Sequence, residues 1–159
     1  MRKEVDDNHL WNQPEWRSGA LKWIHTELDR LGLPLTGEPE QFHMTDWSTV
    51  MRLPVENGNV YFKAVKPDRR VEVQLTRLLF SRHPQNMPQV LAVHPAEAWM
   101  LTGDMGSPYR AYLRPTGDLT PLERALPILA EIQMESIPHL EEYISLGVVQ
   151  RPVPEIPNY

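Results

Sequence analysis

Two charged side chains are placed where a phosphate-binding pair could form. Residues 58–75 read GNVYFKAVKPDRRVEVQL, in which Lys63 lies within an apolar, β-rich run and Glu72 opens a helical pattern. An ammonium group offers phosphate oxygens a compact positive charge, and a carboxylate on the next helix can hold that ammonium in place. This pattern is compatible with a nucleotide site.

Each of these residues also has an ordinary structural interpretation. A lysine on a strand commonly extends its ammonium into water along apolar neighbours. A glutamate in the first turn of a helix is favoured by the helix dipole by about 0.3–1 kcal/mol. On the spacing alone, the helix-dipole interpretation of Glu72 is preferred. The choice between a phosphate-binding pair and two separate surface residues therefore depends on the rest of the chain.

Composition excludes several classes of protein. The chain has 159 residues, of which 41% are hydrophobic and 23% charged, as expected for one soluble globular domain. Its net charge of −5 gives no basic surface for a nucleic-acid backbone. Cysteine is absent, which excludes disulfides and thiolate metal sites. The sequence shows no signal peptide and no apolar run of membrane-spanning length, so we predict a cytoplasmic protein with no membrane partner.

The first half of the chain predicts a helix followed by strands. Apolar residues recur at three- and four-residue steps over about 14–31, and Gly32 ends that helix. Residues 41–55 can hold two short strands bent at 46–49, and 60–65 form the strand that carries Lys63. A helix is predicted over about 69–82, with a buried stripe of Val71, Leu75, Leu78 and Leu79.

The second half predicts two further strands and then helices. The strands cover 88–94 and 98–104, and a linker containing glycine and proline covers 103–117. Thr120 is expected to cap the next helix, which Pro127 should kink or break. A last helical piece is expected at 139–146, before an extended tail at 149–159. The fold class is therefore α+β, with a twisted antiparallel sheet of about five strands.

Six segments in this order resemble the aminoglycoside phosphotransferase family, whose fold is kinase-like. They are DWSTVMRLP, GNVYFKA, Glu72 with LTRLL, PQVLAV, WMLTGDMG and LPILAEIQ, and the resemblance runs from about Trp23 to about Arg151. It implies a kinase-like nucleotide-binding lobe with an N-terminal helix over 1–106. Residues 107–159 would be a linker and the start of an incomplete C-terminal lobe.

The resemblance also implies roles for individual residues. Lys63 matches the lysine that contacts the α- and β-phosphates of ATP, and Glu72 matches the glutamate that pairs with it. Ser48 and Thr49 match the loop that covers the nucleotide, where they would donate hydroxyl or backbone hydrogen bonds to phosphate. This loop differs from that of protein kinases because it contains no glycine.

The segment after the last strand matches the hinge that reads the adenine edge through its backbone. It contains Thr102, Gly103, Asp104 and Met105, and Met100 or Leu101 would line the base pocket. Asp104, Met105 and Gly106 look like the Asp-x-Gly element that holds magnesium in protein kinases. Because they directly follow an apolar strand, a turn is the better interpretation, and no metal ligand is predicted.

The catalytic groups of the family are not found. None of the six histidines is part of a His-x-Asp motif, and the chain stops at Tyr159, so no catalytic residue is predicted. We expect the ATP-binding lobe of a small-molecule phosphotransferase, as a short product or fragment that is inactive alone, with Mg²⁺ bound only when a C-terminal lobe is complete. The alternative is a non-catalytic interaction module whose apolar C-terminal helices form a homodimer or bind a second-lobe partner.

Overall fold

The computed structural model describes residues 10–150, which form a mixed helix-and-sheet fold of the α+β type. Its strands are β1 (Glu40–Met44), β2 (Ser48–Val55), β3 (Gly58–Val65), β4 (Val90–Val93) and β5 (Trp99–Gly103). Its helices are α1 (Pro14–Leu31), α2 (Val71–Arg82), α3 (Tyr109–Thr116), α4 (Thr120–Ser136) and α5 (Leu140–Ser145). The described part of the chain has no helix that is long and apolar enough to cross a membrane.

The five strands form one antiparallel sheet in the order β1-β2-β3-β5-β4. Strands β2 and β3 are joined by a tight turn in which Gly58 has φ of 130°, a conformation that a side chain would disfavour. In this register Lys63 lies at the centre of the sheet, opposite Val50 of β2 and Met100 of β5. The expected five-stranded antiparallel sheet is confirmed.

One face of the sheet packs against α1. Alternation along β3 sends Phe62 and Ala64 to this face, where they are fully buried with Ile24 and Leu28 of the helix. Aromatic rings fill the remaining space, since Phe62 lies within about 6 Å of the Trp16, Trp23 and Trp99 rings, at centroid distances of 6.3, 6.0 and 5.9 Å. The larger core cluster therefore lies on the α1 side of the sheet.

Helix α2 covers part of the opposite face. Its fully buried residue is Val73, which packs with Val65, Ala98 and Met100. The sequence predicted a different buried stripe, and that prediction is wrong. Its four side chains are only partly buried: Val71, Leu75, Leu78 and Leu79. The first turn of α2 packs on β3 and β5 and places Glu72 beside Lys63, and its later turns lie along β4.

The C-terminal part differs from the sequence prediction at the linker and at the cap of α4. The predicted linker contains α3, whose C-terminal cap is Gly117 with φ of 64°. Thr120 does not cap α4; instead its backbone N–H donates to the Asp118 carboxylate at 2.9 Å. Helix α4 continues through Pro127, so that proline does not break it. Most of the predicted extended tail, 151–159, lies outside the described residues.

Candidate functional site

The structure brings Lys63 and Glu72 together. The Lys63 ammonium forms an ion pair with the Glu72 carboxylate, and their side chains are 31% and 42% exposed. Lys63 reaches this position from the centre of β3, and Glu72 from the first turn of α2. The two residues that are separated by a strand end and a turn in the sequence are therefore direct partners, and both remain accessible to a ligand.

A cavity of about 610 Å³ opens beside this ion pair. Its volume lies in the range typical of small-molecule sites, roughly 300–1,000 Å³. Most of its lining surface is apolar, although several polar side chains besides the ion pair also contribute to it. The lining residues are Phe42, His43, Val50, Tyr61, Lys63, Glu72, Thr76, Met87, Pro88, Met100, Thr102, Met105, Gly106, Ser107, Pro108 and Tyr109.

The floor of the cavity is the face of the sheet that α1 leaves free. Tyr61 and Lys63 alternate with the core residues of β3, and Met100 and Thr102 are their partners on β5. Met100 and Thr102 are buried at 4% and 7% exposure. Such a floor offers a flat apolar surface next to a cation, which suits a ligand with a planar apolar part and an anionic part.

Thr102 and Met105 of the predicted hinge line the cavity, whereas Gly103 and Asp104 do not. The Gly103 N–H donates to the Gln89 carbonyl at 2.9 Å. The Asp104 carboxylate accepts the Gly106 N–H at 2.7 Å and the Asn59 side-chain amide at 3.1 Å. These bonds support the turn interpretation of Asp104. Residues 10–150 contain no group of three or more histidine or acidic side chains that could hold a metal.

Ser48 and Thr49 lie in β2, away from the cavity lining, and both are buried. The Thr49 hydroxyl accepts the Gln41 side-chain amide at 2.8 Å. The Ser48 hydroxyl lies 3.2 Å from the Thr45 hydroxyl. Both hydroxyls are thus engaged in holding the β1–β2 turn, and a phosphate contact from either residue stays a prediction.

Sequence reasoning missed the outer wall of the cavity. Phe42 comes from β1, Met87 precedes β4, and Tyr109 begins the unpredicted helix α3. Tyr61 had a detectable signal, because alternation places it on the face of Lys63. For Tyr109 the only indication in the sequence was the preceding Pro108, because proline is common near the start of a helix.

Two tyrosines of α3 bond to Asp118, in the short loop between α3 and α4. The Tyr109 hydroxyl donates to the Asp118 carbonyl at 2.8 Å, and the Tyr112 hydroxyl donates to the Asp118 carboxylate at 2.5 Å. The Tyr112 hydrogen bond, followed by those from Thr120, lowers the pKa of Asp118. The same bond raises the pKa of Tyr112. The wall that carries Tyr109 is therefore fixed by a hydrogen-bonded pair next to the cavity.

Searches of known protein families, of curated proteins and of solved structures gave no match to this chain.

Proposed function

We propose that the cavity binds ATP and that the chain is the nucleotide-binding lobe of a small-molecule phosphotransferase. The observation that carries this proposal is the Lys63–Glu72 ion pair at the edge of an apolar cavity of nucleotide size. Residues 1–106 would be a kinase-like lobe of the aminoglycoside phosphotransferase type, and 107–159 the linker and the start of a second lobe. A chain that uses ATP in this way would work in the cytoplasm.

Each part of the nucleotide has a counterpart in the site. The Lys63 ammonium would contact the α- and β-phosphates, with Glu72 holding it in position. Met100 and Met105 would pack against the faces of the adenine ring, since thioether side chains adapt well to aromatic surfaces. The backbone of 103–105 would read the edge of the base.

Phosphoryl transfer needs further groups. A base must position the acceptor hydroxyl, and carboxylates must hold Mg²⁺ against the β- and γ-phosphates. We assign both tasks to a second lobe, which would also form the acceptor pocket. In the complete enzyme the γ-phosphate would pass from ATP to a hydroxyl of a small molecule.

Calorimetry on the purified chain tests the proposal. Mg-ATP should bind to the wild type, and Lys63→Ala should weaken binding because it removes charge-assisted hydrogen bonds worth about 1.5–3 kcal/mol. That loss corresponds to a dissociation constant about 10–150-fold higher. Lys22→Ala is the matched control, because it removes the same charge from an exposed position of α1. Equal affinities of Lys63→Ala and the wild type would contradict the proposal.

A second candidate function rests on the surface of the C-terminal helices. Helix α4 and the residues that flank it expose many large apolar side chains, among them Leu126 at 56% and Ile137 at 72%. Surfaces of this kind mark interfaces. The chain would then be a non-catalytic interaction module that forms a homodimer or binds a second lobe. Sedimentation velocity distinguishes the two functions. An interaction module would associate without nucleotide, and Lys63→Ala would leave its association unchanged.

A further inference from the structure

Helix α2 packs on the sheet through one fully buried side chain and several partly buried ones. All of its residues are described, and Val73 alone among them is fully buried. Its other apolar side chains are partly exposed. Partly buried side chains leave room for small tilts and rotations of the helix, so contacts at its far end contribute to the position of Glu72.

A polar cluster holds the far end of this helix. Arg82 is the last residue of α2, and its guanidinium donates to the Tyr143 hydroxyl at 3.1 Å and forms an ion pair with Glu142. The same group lies over the Tyr143 ring, 5.5 Å from its centroid. Tyr143 is buried at 6% exposure, and its hydroxyl lies 3.0 Å from that of Ser136 at the end of α4. One arginine therefore joins α2 to both C-terminal helices.

We propose that Arg82 is a positioning residue for the nucleotide site, acting through Glu142 and Tyr143. It ties α2 to α4 and α5 and so keeps Glu72 beside Lys63. This proposal rests on the proposed nucleotide function, and it adds that the packing of the C-terminal helices controls the phosphate-binding pair.

The dimensions of a helix make this coupling effective. Glu72 and Arg82 lie about 15 Å apart along α2, and a helix transmits rotation over that length as a stiff body. A glutamate side chain reaches about 5–6 Å from the helix axis, so a rotation of about 20° moves its carboxylate by about 2 Å. A movement of that size separates a direct ion pair.

The test combines Mg-ATP affinity with hydrogen exchange of the nucleotide-free chain. Arg82→Gln should make the amides of α2 exchange faster and leave those of β2 and β3 unchanged. If the pair is then aligned in about 10–30% of molecules, the dissociation constant rises about 3–10-fold. Arg77→Gln is the control, since it removes the same charge from an exposed position of α2. The charge swap Arg82→Glu with Glu142→Arg should recover part of the affinity.

The outcomes separate this proposal from the nucleotide function. A wild type that does not bind Mg-ATP overturns the nucleotide function, and the positioning role with it. Binding by the wild type together with unchanged α2 exchange in Arg82→Gln overturns the positioning role alone. Exchange that rises equally in β2 and β3 also overturns it, because Arg82 would then be a general stabiliser of the fold.

Discussion

The Lys63–Glu72 ion pair should contribute little to the stability of the fold. Both side chains are substantially exposed, 31% and 42%, so water screens their attraction. Exposed ion pairs contribute about 0–1 kcal/mol to the free energy of unfolding. For a chain of this length, 1 kcal/mol corresponds to a change in Tm of about 2–4 °C. Lys63→Ala and Glu72→Ala should therefore each lower Tm by no more than about that amount.

A double-mutant cycle measures this directly. Thermal unfolding followed by circular dichroism would be recorded for the wild type, the two single variants and the double variant. Lys63→Met is an informative companion, because it keeps an apolar stem between Val50 and Met100 and removes the charge. It should unfold at or above the wild-type temperature and still lose nucleotide affinity. A coupling energy above about 2 kcal/mol would refute the reasoning, because exposed pairs do not reach it.

Other substitutions probe the scaffold around the site. Phe62→Ala should lower the free energy of unfolding by about 3–5 kcal/mol in a denaturant titration, since this ring is fully buried. Gly32→Ala should lower the free energy of unfolding by about 1–2 kcal/mol, because Gly32 has φ of 69°. Gly19→Ala should raise it by up to about 1 kcal/mol, because Gly19 lies inside α1 and an added methyl group would be 3.9 Å from the nearest side chain. The Tyr112–Asp118 bond needs an ionised Asp118, whose pKa is lowered, and a protonated Tyr112, whose pKa is raised. The difference in the free energy of unfolding between the wild type and Tyr112→Phe should thus be largest between pH 3.8 and 10.0, the ordinary pKa values of these two groups. It should disappear in stronger acid and in stronger alkali. A difference that does not depend on pH would contradict this.

Periodic patterns made much of the fold predictable. The three- and four-residue spacing gave α1 its observed bounds, and alternation along β3 assigned Phe62 to the core and Lys63 to the opposite face. Both patterns report which side of an element faces the larger core, although the face that carries Lys63 also has a smaller buried cluster around Val73. The same rules allow Lys63 and Glu72 to lie over one face of the sheet, but the spacing alone favoured the helix-dipole interpretation of Glu72, and the ion pair is seen only in the folded chain.

The rest of the site depends on contacts that local patterns do not encode. Val73 is buried because the first turn of α2 packs on β3 and β5, which the distribution of leucines in that helix does not show. The cavity wall combines Phe42, Met87 and Tyr109, which are distant in sequence and meet only in the folded chain. Helix α3 is short and contains Pro115, so its sequence looks like a linker.

Methionine methyl NMR gives the most direct test of the nucleotide site. The chain has seven methionines, of which Met87, Met100 and Met105 line the cavity. Met51 is buried on the α1 face, and Met134 is exposed on α4. Titration with Mg-ATP should shift the three cavity methyl signals and leave those of Met51 and Met134 in place. Shifts confined to Met134, or no shifts in a folded chain, would contradict the assignment of this cavity to a nucleotide.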